Sequence, residues 1–295
     1  MPVRCLHPWI AAVALAMMLP TSASPADETG PTAVYGDTGP TLRLATGSPG
    51  ELGLVEALAA GYPEPLRLAW FKAGSGGALA LLRTGAVDVA MVHAPAAERA
   101  AVAAGRAAER TLIGGNRYYL VGPSDDPAGV EGVDRMTEAL RRIAASRSAF
   151  VSRADDSGTH RREMQLWRAA GVAPAGPWYR ESGLFMSAGL RRANELGAYF
   201  MTDSSTWTTL EADMGRLRVL VDGDPQLVNA YHALIAPGSP AVDLARDFVR
   251  HLAGPAGQAV VSEYGRESHG ESLYMAAAAV PDRHAAGQKT TEDGE

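Results

Sequence analysis

Two hydrophobic rhythms alternate along the chain. "TLRLAT" (41–46), "LRLAWF" (66–71), "AVDVAMVH" (86–93) and "NRYYLVGP" (116–123) are short, rich in strand formers, and bounded by Gly-, Pro- and Ser-containing breaks; they predict strands. Between them, "ELGLVEALAAG" (51–61) sets Leu54, Val55 and Leu58 on one helical face, and "ALALLRTG" (78–85) predicts a shorter helix, each with a glycine as stop. The second half repeats the rhythm. A helix is expected over 134–145, with Met136, Leu140 and Ile143 together. A strand follows at 149–152, then a helix over 159–170 that stops at Gly171. Next come a loop and helix over 183–197, a strand at 198–202, a turn and short helix at 203–211, and strands at 217–221 and 229–237. Helices over 241–253 and 255–264 close the body.

Strand–helix alternation of this kind predicts an α/β fold with mostly parallel sheets. In such folds ligands sit beyond the carboxyl ends of strands, where loops meet helix starts. Here those loops read "TGSPG" (46–50), "AGSGG" (73–77), "SRADDSGT" (152–159), "MSAG" (186–189) and "TDSST" (202–206). A helix start carries unpaired N–H groups and about half a positive charge, so it favours an anion. Ser and Thr also cap helices everywhere, and for any one loop capping suffices. Several such loops, one of them with Arg153, point instead to a shared anion site. Arg153 is equally within sequence reach of Asp155 and Asp156 as a plain salt-bridge partner.

Composition narrows the partners. The 295 residues are 46% hydrophobic and 20% charged, with a net charge of −6; a nucleic-acid binder would carry a basic patch, so no nucleic acid is expected. The N-terminus reads as an export signal over 1–26: Arg4, the apolar run "WIAAVALAMML" (9–19), then small residues in "TSASPA" (21–26). That run is shorter than the ~20 residues a membrane span needs. The single cysteine, Cys5, falls inside the signal, so neither disulfides nor a lipid-anchoring cysteine are expected in the mature chain, and the expectation is a periplasmic monomer without a membrane anchor. Residues 27–40 read as a flexible leader and 276–295 as a disordered tail.

Nucleotide and hydrolase motifs are missing. "AGSGGAL" lacks the third glycine of G-x-G-x-x-G, no phosphate-binding G-x-x-x-x-G-K-[ST] loop occurs, and no serine completes G-x-S-x-G. Asp156, Ser157 and His160 lie too close in sequence to be assumed a triad. The seven histidines are scattered without paired ligand spacing, so no metal site and no cofactor are expected. His93 and His160 read as structural hydrogen-bonders, His160 also within reach of an anion.

Six stretches, in order, carry a resemblance: "GAVDVAMVHAPAAE" (85–98), "LVGPSDDPAG" (120–129), "AFVSRADDSGTHRREMQLWRAAGV" (149–172), "GPWYRESG" (176–183), "ANELGAYFMTD" (193–203) and "LVDGDPQLVNAY" (220–231). In them the chain resembles the periplasmic tungstate-binding proteins of ABC importers, members of the two-lobed solute-binding proteins. The resemblance implies a type II periplasmic-binding-protein-like fold, its sheets joined by crossover strands near "YYLVGP" and "NAYHALIAP". Lobe 1 would hold 41–122 and 226–275, and lobe 2 would hold 123–225. It implies an oxyanion between Thr46, Ser48, Ser75 and Gly76 on one lobe and Arg153, Ser157, Gly158, Thr159 and Ser187 on the other, delivered to an importer permease. The first loop departs from the family's Thr-Thr-Thr-Ser, with Gly47 where a hydroxyl is usual; "GSGG" (74–77) and "MSAGL" (186–190) depart as well.

Tungstate and molybdate are fully deprotonated dianions at neutral pH and want donors only. Phosphate keeps a proton and wants an acceptor, which Asp155 or Asp156 could supply. An importer subunit, a sensory module binding the same anion, and an enzyme on the same scaffold all remain compatible with the sequence. The enzyme reading lacks a recognisable activated nucleophile.

Overall fold

The computed structural model describes Met1 and residues 30–281; the expected signal peptide, the leader up to residue 29 and the tail beyond 281 otherwise lie outside the described residues. The described residues from Pro31 onward belong to one compact unit. Its first half runs β1 (Ala33–Tyr35), β2 (Thr41–Thr46), α1 (Ser48–Glu51), α2 (Leu54–Ala60), β3 (Arg67–Lys72), α3 (Ser75–Thr84), β4 (Val89–Val92) and α4 (Pro95–Ala103) into a long strand β5 (Ala108–Pro123). The second half holds α5 (Met136–Ser146), β6 (Phe150–Ser152), α6 (Gly158–Ala169), β7 (Tyr179–Glu181), α7 (Met186–Leu196), β8 (Tyr199–Asp203), α8 (Ser204–Leu210) and β9 (Leu217–Val221). The chain then returns through β10 (Val228–Ile235) to α9 (Val242–Ala253), α10 (Pro255–Glu263), α11 (Arg266–His269) and β11 (Met275–Ala276).

Strand β5 belongs to both halves. Its residues 108–117 pair with β10, whereas 118–123 pair with β8 and β9. The strand order is β1-β3-β2-β4-β10-β5-β8-β6-β7, with β9 and β11 also on β5. The α/β class holds, but a mostly parallel sheet does not. Only β2–β3, β2–β4, β6–β7 and β6–β8 are parallel, four of the ten pairings among the described residues. The physical reason is the crossover itself: β5 and β10 run against each other and against every neighbour they have.

Two-residue periodicity builds a core on each face of each sheet region. On β2, Leu42 and Leu44 join Trp70, Phe248 and Leu252 on one face, and Ala45 joins Ala78, Leu82 and Val92 on the other. On β6, Phe150 packs with Leu140, Ile143 and Trp167, while its neighbour Val151 packs with Met186, Leu190 and Phe200. The starts of α1, α3 and α6 are thereby fixed just beyond the ends of β2, β3 and β6.

The structure departs from the sequence reading at four further places. The helix expected over 51–61 is two helices, because Gly53 adopts φ +86°; a side-chain carbon there would lie 2.4 Å from the Tyr264 hydroxyl, which donates to the Leu52 carbonyl at 2.5 Å. β5 begins at 108 rather than 116. Gly114 and Gly115, which look like breakers, let the Met275 and Asn229 carbonyls approach where a side-chain carbon would lie 2.7 and 2.8 Å away. The expected flexible leader is ordered from Pro31 to Pro40, where β1 pairs antiparallel with β3. The expected tail is ordered through its first residues: Ala276 pairs with Gly114 and the Ala277 N–H donates to Gln258 Oε1 at 2.6 Å.

Candidate functional site

Three strand ends deliver three helix starts, β2 to α1, β3 to α3 and β6 to α6. β2 ends at Thr46, whose carbonyl accepts from Trp70 Nε1 at 3.0 Å and from the Ala73 N–H at 3.1 Å. Its hydroxyl is buried and has no partner. β3 leads to α3, whose first residue Ser75 is buried and accepts the His93 N–H at 3.2 Å. Because Ser75 Oγ accepts, its own proton remains to be donated. β6 leads to α6, where Ser157 is the N-cap and accepts the His160 N–H at 3.2 Å. Thr159, on the first turn of α6, is 0% exposed and its hydroxyl is also unpartnered.

Arg153 lies between β6 and α6 and is 3% exposed. The loop around it is bent by left-handed Ala154 (φ +50°) and Asp156 (φ +55°). The Arg153 carbonyl is tied down by the Gly183 N–H at 2.8 Å. Its Nη2 pairs with Asp155, whereas its Nε is buried without a partner. Asp156 turns to Arg161 at 2.7 Å. The salt-bridge reading of Arg153 is therefore true of one nitrogen and leaves another buried donor unsatisfied. Such a group costs about 1–3 kcal/mol.

Glycines let these loops meet. A side-chain carbon on Gly74 would lie 3.1 Å from Ser157 Cβ, and one on Gly76 would lie 2.2 Å from Asp156 Oδ2. One on Gly158 would meet the His93 ring at 2.7 Å, and that ring is held by Tyr118 Oη and Asn229 Oδ1, both at 2.8 Å. Ser48, half-buried at the start of α1, donates to Asp203 Oδ2 at 3.3 Å across 155 residues of chain. The structure thus brings together Gly76, Ser75, Ser157 and Gly158, and it ties Ser48 to the end of β8. The cluster's hydrogen bonds do not reach Ser187, the half-buried second residue of α7.

Three features were missed by the sequence reading. Phe185, just before α7, has Lys72 Nζ 4.6 Å and the Arg153 guanidinium 5.8 Å from its ring centroid, so one ring is flanked by cations from both halves. Asp203 caps α8 and is fully buried; burial pushes its carboxyl above the usual range, against the pull of Thr206 and the Arg153 charge. Glu163, on α6 beneath the loop, accepts from Ser152 Oγ, Trp167 Nε1 and Tyr179 Oη at 3.0, 3.2 and 2.8 Å. Burial raises its carboxyl to about 7. Only Asp203 left a trace in the sequence, as the acid that opens "DSST".

Asp156, Ser157 and His160 do not form a relay. His160 Nδ1 accepts the Asp156 backbone N–H at 3.2 Å, and Ser157 Oγ is occupied by the His160 backbone N–H rather than its ring. These strand ends and helix starts also hold three buried donors without a partner, Arg153 Nε and the Thr46 and Thr159 hydroxyls. An acceptor bearing negative charge would satisfy them.

Comparison with known proteins gives a consistent picture. A PBP superfamily domain model matches residues 23–255. The tungstate-binding protein TupA of Peptoclostridium acidaminophilum is 36% identical over 214 residues, 70% of this chain and 74% of that protein. The solved tungstate-binding protein TupA from Desulfovibrio alaskensis superimposes with a TM-score of 0.66 at 37% identity, covering 81% of this chain and 99% of that one. The tungstate ABC transporter structure from Geobacter sulfurreducens gives 0.68 at 33% identity, covering 76% and 98%.

Proposed function

This chain belongs to the PBP superfamily, and we propose that it is an exported solute-binding protein that captures a tetrahedral oxyanion, tungstate or molybdate, for an ABC importer. The observation that carries the reading is the set of unpartnered buried donors, Thr46 Oγ1, Arg153 Nε and Thr159 Oγ1, where loops of the two halves touch. A dianion that accepts without donating answers that set, and the charge of Arg153 and the start of α6 add to it. Residues 41–122 with 226–275 act as one lobe and 123–225 as the other; the Gly74–Ser157 approach is their closed contact. Ser75, Gly76, Ser157 and Gly158 line it, and Ser48 and Ser187 complete it from either side.

The protein works as a monomer in the periplasm after removal of residues 1–26 and hands its anion to the importer's permease. It performs no catalysis: the Ser157 hydroxyl is engaged by a backbone N–H, and the His160 ring by another, which supports binding over nucleophilic chemistry. Calorimetric titration of the mature protein with tungstate, molybdate, sulfate and phosphate tests the proposal. Saturable one-to-one binding of tungstate or molybdate is expected. Absence of binding to all four would overturn it.

A further inference from the structure

A buried carboxylate is an odd neighbour for an anion site. Asp203 is 1% exposed and its bonded partners are all neutral. Its Oδ1 accepts the Thr206 N–H at 2.9 Å and Asn116 Nδ2 at 3.3 Å. Its Oδ2 accepts the Thr206 hydroxyl at 3.0 Å and the Ser48 hydroxyl at 3.3 Å. The charge that favours its ionised form is that of Arg153, which acts through space. Asp203 therefore sees Arg153, and it reaches the first half through Asn116 and, at the start of α1, through Ser48.

A serine hydroxyl has one proton to give. Donated to Asp203, that proton is withheld from the site, and Ser48 presents only lone pairs to anything else beside it. A fully deprotonated dianion gains nothing from lone pairs. A monohydrogen anion such as hydrogen phosphate can donate its own proton to them. The acids that might otherwise accept such a proton are engaged: Asp155 with Arg153 Nη2 and the Ser157 N–H, Asp156 with Arg161.

We infer that Asp203, acting through Ser48, is a specificity-determining residue that sets how strongly the site distinguishes fully deprotonated tetrahedral dianions from those that carry a proton. The inference rests on the oxyanion reading above. As ionised Asp, residue 203 disfavours the deprotonated class at the Ser48 corner and favours the protonated one.

Asp203→Asn isolates the effect. Its carbonyl is held at the Oδ1 position by the Thr206 N–H and Asn116, because the reverse orientation would set an amide N–H against these donors. Its Nδ2 then donates to Ser48 Oγ and Thr206 Oγ1, and the Ser48 proton is released toward the anion. Asn is as good an N-cap as Asp, so α8 keeps its start. A hydrogen bond regained to a charged group corresponds to roughly tenfold or more in affinity.

Calorimetry on the mature protein, parent and variants, with tungstate, sulfate and inorganic phosphate at one pH reads this out. Asp203→Asn should raise the tungstate-to-phosphate and sulfate-to-phosphate affinity ratios by about tenfold each. Sulfate tests that protonation is read rather than size. Adding Ser48→Ala should remove the donor's share of that gain, so that the double variant gives the same ratios as Ser48→Ala alone. If phosphate gains in proportion, or the double variant exceeds Ser48→Ala alone by the full Asp203→Asn gain, then Asp203 acts only as a repelling charge and the inference is wrong. Should Asp203→Asn fail to fold by circular dichroism, Ser48→Ala in the parent decides: loss of the acceptor should raise the tungstate-to-phosphate ratio, and an unmoved or lowered ratio overturns the inference. A parent that binds none of the three removes the oxyanion reading and this inference together. A parent that binds tungstate with ratios that no variant moves removes this inference alone.

Discussion

Thr159→Val should make the ligand-free protein more stable and a poorer binder at once. Thr159 is fully buried on the first turn of α6, and its hydroxyl meets no partner. Leaving a buried hydroxyl unsatisfied costs about 1–3 kcal/mol. Valine keeps the branched shape, has a similar helix propensity, and removes that cost. A gain of about 1 kcal/mol in the ligand-free state is expected, or roughly 2–4 °C in melting temperature for a domain of this size. With tungstate the sign reverses. Losing a hydrogen bond to a charged acceptor removes roughly 1.5–3 kcal/mol of binding, about tenfold to a hundredfold in Kd. Scanning calorimetry with and without saturating tungstate, alongside titration calorimetry, measures both effects on the same samples. A variant that is less stable without ligand would mean that the hydroxyl has a structural partner. A variant that binds tungstate as tightly as the parent would refute its role as a donor.

Other expectations are as specific. Arg153→Ala should weaken tungstate binding by about tenfold to a few hundredfold, since it removes a charged donor and leaves Asp155 uncompensated, and Arg153→Lys should recover only part of that; titration calorimetry decides. Glu163, raised from 4.5 to about 7, binds its proton more tightly folded than unfolded, so its contribution is full below pH 4.5 and lost as pH rises to 7. Across that window the parent should lose about 3 kcal/mol relative to Glu163→Gln, at about 1.4 kcal/mol per pH unit, and urea melts showing parallel pH profiles would contradict it. Gly158→Ala sets a carbon 2.7 Å from a His93 ring that Tyr118 and Asn229 hold in place. It should keep the halves apart, so small-angle scattering in saturating tungstate should give a larger radius of gyration than the parent; equal radii would show that the contact yields.

The fold was legible wherever a single periodicity decided the element. Leu42, Leu44 and Ala45 announce a strand with two buried faces, and Met136, Leu140 and Ile143 a helix with one. Legibility failed where a distant partner decided. Gly114 and Gly115 are breakers by composition and strand residues in fact, because Met275 and Asn229 need the space. β1 and β11 are too short to show a period and exist through pairing alone. At the site, the loops rich in Gly, Ser and Thr were visible, and the fold does bring several of them into contact. Their unsatisfied atoms were not visible, because a hydroxyl's partner depends on tertiary packing. Asp203 illustrates the limit: sequence marks it as a helix cap, whereas its bond to Ser48 spans 155 residues.

Crystals grown with tungstate, with the metal located by its anomalous scattering, would show directly where the anion sits. One strong peak is expected, its oxygens within hydrogen-bond distance of Arg153 Nε, Thr46 Oγ1 and Thr159 Oγ1, between the starts of α1, α3 and α6. A peak confined to the surface cleft beside His160, Arg161 and Arg168, with these three donors still unpaired, would contradict it.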